Sequence, residues 1–189
     1  MAEQKKQSKQ IYYMVLTALF TALTILGAFI RIPTATVPFT LQILFVLLAG
    51  ILLGPFWGAL SQLLYILLGL IGLPVFAGGG GLAYVMQPSF GFLAGYIAGA
   101  AVAGWIAFSG KTSVWRLTAA CLAGLAVIYA IGLPYMAWIL NVHLSKNLDA
   151  KYIITNGMLI FLPWDAVKVA GAVALARILK PVISRWEKQ

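Results

Sequence analysis

Charge is what this sequence has least of. Of 189 residues, 13 are Lys or Arg and 4 are Asp or Glu, 9% together, where a soluble domain carries about 25%. So few charges cannot cover a water-facing surface, which argues against a soluble globular domain. Cysteine is limited to Cys121 and histidine to His143, so neither an internal disulfide nor a cysteine or histidine metal cluster can be assembled. Cys121 lies in an apolar run and reads as a small core residue; His143 reads as a surface loop residue. Period-two alternation in segments of about ten residues, the mark of a membrane β-barrel, is also missing.

What is present is apolar. Hydrophobic residues make up 62% of the chain and the mean hydropathy is +0.98, values that describe an all-α polytopic membrane protein. A hydrocarbon core about 30 Å thick takes roughly 20 residues per helix, so the chain holds about six transmembrane helices and no soluble catalytic domain. The expected spans are 11–30, 39–53, 56–72, 90–108, 115–140 and 157–180, with Gly54-Pro55 as the joint of a tight antiparallel hairpin. Residues 1–10 and 181–189 read as polar tails around one membrane domain over 11–180. The first run is too long for the apolar region of a signal peptide, about 7–15 residues, and reads as a retained span.

The net charge of +9 is explained by the membrane and not by nucleic acid, for which no partner role is expected. With the N-terminus inside, Lys5, Lys6, Lys9, Lys111, Arg116, Arg177, Lys180, Arg185 and Lys188 fall on the inner side, and only Arg31, Lys146 and Lys151 on the outer. That asymmetry obeys the positive-inside rule and makes both termini cytoplasmic. The loops 31–38, 73–89 and 141–156 then share the outer face. No internal repeat is visible.

Within the spans, ionisable groups are expensive and normally face the bundle interior. Asp165 and Lys168, in FLPWDAVKVAGA, are three residues apart on one helical face, with Pro163 at the helix start. They can anchor a polar solute, the carboxylate accepting N–H bonds and the ammonium donating to an oxygen; alternatively they are a neutralising pair that only fixes helix packing. The charge-free run LPVFAGGGGLAYVMQPS must pack in protein or line a cavity. Gly78 to Gly81 within it can serve as a lid or a close backbone approach to a ligand, or as a loose connection. A forced dinucleotide fingerprint at Gly78, Gly80 and Ala83 has no βαβ unit around it. The glycines at Gly104 and Gly110 before Lys111 and Thr112 miss the P-loop spacing by one residue, so no ATPase machinery is present. Ser61 and Ser89 lack His and Asp partners for nucleophilic catalysis, and most aromatics read as interface belt or core, although Trp164 beside Asp165 can wall a pocket. Ala18 and Ala22, and the stripe Gly91, Gly95, Gly99 and Ala103, are small-residue faces that admit close helix approach.

Three blocks, VPFTLQILFVLLAGILLGPFWGALSQLLYILLGLIGLPVFAGGGG, QPSFGFLAGYIAG and FLPWDAVKVAGA, resemble the BioY family over about residues 11–180. That family supplies the biotin-specific S component of energy-coupling factor (ECF) vitamin transporters. The resemblance implies a six-helix S-component-like bundle in a bacterial plasma membrane that captures biotin from outside, with no cofactor and no metal. It places the head-group contacts on Asp165 and Lys168, and the lid on the glycine loop with Gly79 and Gly80. Phe39, Thr40, Gln42, Tyr84, Ser89 and Trp164 are further pocket candidates. Gly80 replaces an Asn found in some members, and Phe90 and the bulky Trp164 depart from the glycines common at their positions. Ala18 and Ala22 match the motif that contacts a membrane coupling subunit, and two ATPase subunits would supply the energy. The competing expectations are an S component for another vitamin, an autonomous small-solute transporter, and an intramembrane enzyme, for which no nucleophile–base pair is found.

Overall fold

The computed structural model describes residues 2–34 and 36–186. Helix α1 runs Ala2–Phe29 and stops where Ile32-Pro33 follows, proline excluding helix from the residue before it. A short hairpin comes next, β1 (Arg31–Ile32) against β2 (Phe39–Thr40), with Arg31 opposite Thr40 and Ile32 opposite Phe39. Helix α2 covers Gln42–Leu70, then a loop with one 3-10 turn at Leu82–Met86, α3 (Phe90–Phe108) and α4 (Val114–Trp138). A π turn over Ile139–His143 leads to α5 (Ala150–Ile154), a second π turn and α6 (Leu162–Trp186).

Five helical stretches are long and apolar enough to cross a membrane, namely Gln7–Phe29, Gln42–Leu70, Phe90–Phe108, Val114–His143 and Ala150–Ile183. Helix α2 is not straight. Gly54 has φ 84° and ψ 179°, a region open essentially to glycine alone, and Pro55 follows without an N–H to give. The two arms fold back on each other: a Cβ on Gly58 would lie 2.8 Å from the Gly50 Cα, and Gln42 Nε2 reaches the Tyr65 hydroxyl at 2.8 Å. In a straight helix these pairs would be about 12 and about 35 Å apart at 1.5 Å per residue. The expected hairpin at Gly54-Pro55 is therefore present inside what counts as one helix.

Other boundaries differ from expectation. The tail expected over 1–10 is helical from Ala2, because lysines and glutamines have good helix propensity and extend an apolar helix at no cost in water. The tail expected over 181–189 continues α6 as far as Trp186; 187–189, with Lys188, lie outside the described residues. The loop expected over 141–156 is shorter. Asp149 accepts the Tyr152 N–H at 2.8 Å and caps α5, while Asn141 holds the turn by donating to the Leu148 carbonyl at 2.9 Å and accepting from its N–H at 2.6 Å.

The first arm of α2 is the centre of the bundle: Val46, Leu47, Ala49 and Ile51 are fully buried. It packs against α3, which packs against α4; α1 covers the second arm, and α6 closes on α2 and α4. Gly95 and Gly99 abut the backbone of α4 at Ile128 and Gly124, so the small-residue stripe of α3 serves internal packing. The α1–α2 seam is polar and closed. Thr17, Thr21 and Thr24 each donate to the carbonyl four residues back, and Thr21 also donates to the Ser61 carbonyl at 2.9 Å. Gln62 accepts from Thr24 and donates to Ser61 Oγ. Buried polar groups without partners would be costly in an apolar bundle, and none is found among the described residues.

Candidate functional site

The polar pocket is built at the end of the bundle that carries the β1–β2 hairpin and the N-terminus of α6. Pro163 sits in the first turn of α6, where its missing N–H breaks no helical bond, and the Asp165 N–H bonds the Phe161 carbonyl at 2.9 Å. Asp165 and Lys168, one turn apart, face inward: Asp165 is fully buried and Lys168 nearly so. Lys168 Nζ donates to Asp165 Oδ1 at 2.8 Å, and the Tyr129 hydroxyl of α4 donates to Asp165 Oδ2. This is the single salt bridge among the described residues. Tyr96 of α3, also buried, faces the same small cavity as Thr40, Tyr129 and Lys168.

Two cavities meet here. The inner one, about 30 Å³, is lined by Thr40, Phe92, Tyr96, Tyr129, Phe161 and Lys168. The outer hollow, about 250 Å³, is lined by Ile30, Arg31, Phe39, Thr40, Trp164 and Lys168. Thr40 and Lys168 belong to both and stand between them. The inner cavity matches roughly one water's share of volume, whereas the outer hollow approaches the roughly 300 Å³ at which small-molecule sites begin. Phe39 stacks on Phe161 with ring centroids 4.2 Å apart, forming an apolar wall beside the ion pair. An ammonium has three donors, so Lys168, which lines both cavities, retains capacity for a ligand after pairing. Among the described residues no three His, Cys, Asp or Glu side chains gather into a metal-holding group.

Of the residues expected from sequence, Lys168, Thr40, Phe39 and Trp164 come together at these cavities, Trp164 at the exposed rim of the outer one; Asp165, fully buried, lines neither and is joined to them through Lys168. Gln42 lies beneath them, fully buried, donating to Tyr65, whose hydroxyl reaches the Val75 carbonyl at 3.4 Å. The glycine loop lines neither cavity. Its Phe76 packs on Tyr65 and Tyr84, and Tyr84 is within 3.3 Å of Ser89. Gly79 makes a tight reciprocal pair of backbone bonds with Phe76. Gly80 lies so close to the Leu73 and Gly69 carbonyls that no Cβ fits there, so the Asn of some members could not be accommodated without moving the loop. Tyr129, Tyr96 and Arg31 were not among the expected site residues. The signal for the tyrosines is chemical: a buried Tyr hydroxyl needs a partner, and a bundle with one interior carboxylate offers few.

Ala18 and Ala22 are elsewhere. Both face outward on α1, together with exposed Met14, Val15, Leu19 and Leu26, opposite the buried Thr17, Thr21 and Thr24.

Fold and site together define a multi-pass helical membrane protein with one buried ion pair beneath a hollow at one end of the bundle. The BioY family model matches residues 2–185, and the chain belongs to the BioY family. A probable biotin transporter of Lysinibacillus sphaericus is 43% identical over 88% of this chain and 86% of its own length. The biotin transporter of Thermotoga maritima is 39% identical over 88% of this chain and 95% of its own length. Among solved structures, a crystal structure at 2.1 Å of the S-component for biotin from an ECF-type ABC transporter superposes with a TM-score of 0.78. It is 26% identical and covers 92% of this chain and 93% of that one. These relatives are named as transporters or transporter components, not enzymes.

Proposed function

We propose that this chain is the substrate-binding S component of an ECF-type vitamin transporter, and that it captures biotin and delivers it inward with an ATP-driven module. The observation that carries the reading is the buried Asp165–Lys168 pair, whose lysine lines a hollow of about 250 Å³, in a chain whose relatives are biotin transporters. The ureido ring of biotin has two N–H donors that suit Asp165 and a carbonyl that suits Lys168, while Phe39, Phe161 and Trp164 offer apolar surface to the fused rings. The glycine loop with Gly79, Gly80, Tyr84 and Ser89 acts as a lid that must swing across from its packing on Tyr65, and Gln42 holds the floor in place.

Counting the arms of α2 separately gives six spans, with both termini cytoplasmic in a bacterial plasma membrane. The contacts Phe39–Phe161, Thr36–Tyr152 and Tyr135–Val85 gather the three loops of the weakly basic side at one end, which is the extracellular end in this reading. Ala18 and Ala22 then present the docking face for the membrane coupling subunit, and two ATPases bind that subunit. Equilibrium binding to the purified protein, read by Trp164 fluorescence, tests the proposal. Selective binding of biotin over thiamine and riboflavin is expected; binding of another vitamin in its place would overturn the substrate, and dependence on neither Asp165 nor Lys168 would overturn the site.

A further inference from the structure

We infer that Arg31 is the specificity-determining residue for the anionic tail of the ligand, an inference that rests on the biotin reading of the pocket. The charge balance of the site leads to it. Lys168 is neutralised by Asp165 at 2.8 Å, so the pair as a whole recognises polarity and carries no net charge. Biotin is a monoanion at neutral pH, with its carboxylate at the end of a flexible chain remote from the ureido ring. If the ring occupies the ion pair, the carboxylate needs a cation at the far side of the hollow.

Arg31 is that cation. It lines the outer hollow together with Lys168, Thr40, Phe39 and Trp164. The strand pairing aims it there: Arg31 stands directly opposite Thr40, opposed residues of an antiparallel pair project from the same face, and Thr40 lines both cavities. No ion pair involves Arg31 among the described residues. The described carboxylates other than Asp165 are committed elsewhere, Glu3 at the far end of α1 and Asp149 as the cap of α5. The hollow thus has one uncompensated positive charge, Arg31, and a lysine already neutralised by the Asp165 behind it, which complements a ligand that is polar and neutral at one end and anionic at the other. The planar guanidinium also meets a carboxylate with two parallel donors, which an ammonium cannot do.

The experiment compares biotin with its methyl ester, which keeps the ring system and removes the charge, on the parent protein, Arg31→Gln and Arg31→Lys. The parent should prefer biotin. Arg31→Gln should weaken biotin about fivefold, in line with an ion pair at a solvent-exposed rim, and leave the ester unchanged; Arg31→Lys should restore part of the preference. Equal loss for acid and ester, or an undiminished preference for the acid in Arg31→Gln, would overturn the assignment. So would an ester bound by neither protein, since a rim cation cannot account for so large a difference. Lys168→Ala separates the two levels: loss of both ligands keeps the pocket while Arg31 is judged on its own data. Unchanged binding of both in Lys168→Ala would remove the pocket and this inference with it.

Discussion

At the scale of single residues, the proposed function gives the Asp165–Lys168–Tyr129 cluster two jobs, packing and binding, that different substitutions separate. Removing one member of a buried ion pair leaves the other uncompensated and costs about 3–5 kcal/mol of stability, whereas replacing both with apolar or neutral groups is often tolerated. Lys168→Ala should therefore lower the thermal midpoint of the detergent-purified protein, and the double variant Asp165→Asn/Lys168→Met should recover most of it. Binding should not recover. Either single change is expected to weaken biotin by about 1–3 kcal/mol, the value of hydrogen bonds to charged groups, and the double variant should remain as weak. A double variant that regained binding would mean the pair only fixes helix packing. Tyr129→Phe removes a donor to Asp165 Oδ2 without removing charge, so its effect on affinity should be smaller, about 1 kcal/mol. An effect as large as that of Lys168→Ala would place the phenol itself in contact with the ligand.

At the scale of elements, two glycine positions set the geometry. Gly54 holds φ 84° and ψ 179°, and any side chain there costs about 1–3 kcal/mol at the bend that brings Gln42 to Tyr65. Gly54→Ala should lower the thermal midpoint, and biotin binding should fall with it as the floor of the pocket shifts. Gly80→Ala is expected to be worse for binding than Gly72→Ala, although both lie around the same loop: a Cβ on Gly80 collides with the Leu73 and Gly69 carbonyls, while Gly72, at φ 109°, has open space around it. Equal binding losses would mean that strain and not packing limits the loop. The Gly54-Pro55 joint was legible in the sequence because glycine and proline act through local backbone geometry. So were Asp165 and Lys168, as charges inside an apolar span with a fixed helical spacing. The helical start at Ala2 and the cap at Asp149 were not, since exposed polar segments have no hydrophobic period to read. Tyr129 and Arg31 reach the site from α4 and from a two-residue strand, and contacts that distant in sequence leave no spacing to recognise.

At the scale of the whole molecule, the two faces of α1 differ in a way that bears on assembly. Its inner face is spent on the second arm of α2 through Tyr13, which stacks on Trp57 with centroids 5.7 Å apart, and through the hydrogen bonds of Thr21 and Thr24. Its outer face carries Ala18 and Ala22 between larger exposed residues, a shallow strip in which another helix backbone can come close. Lipid requires no such strip, because lipid tails conform to any side-chain relief. A bulky side chain there would touch nothing inside this chain and should leave its fold and the pocket at the other side of α2 intact, but it would hold a docking helix away. Ala18→Trp and Ala22→Trp are therefore expected to bind biotin with parental affinity after purification and to abolish biotin uptake by cells that also express the coupling subunit and its ATPases. Uptake that survives in both variants would move the docking surface off α1; lost biotin binding in both would show that the outer face of α1 supports the pocket and not a partner.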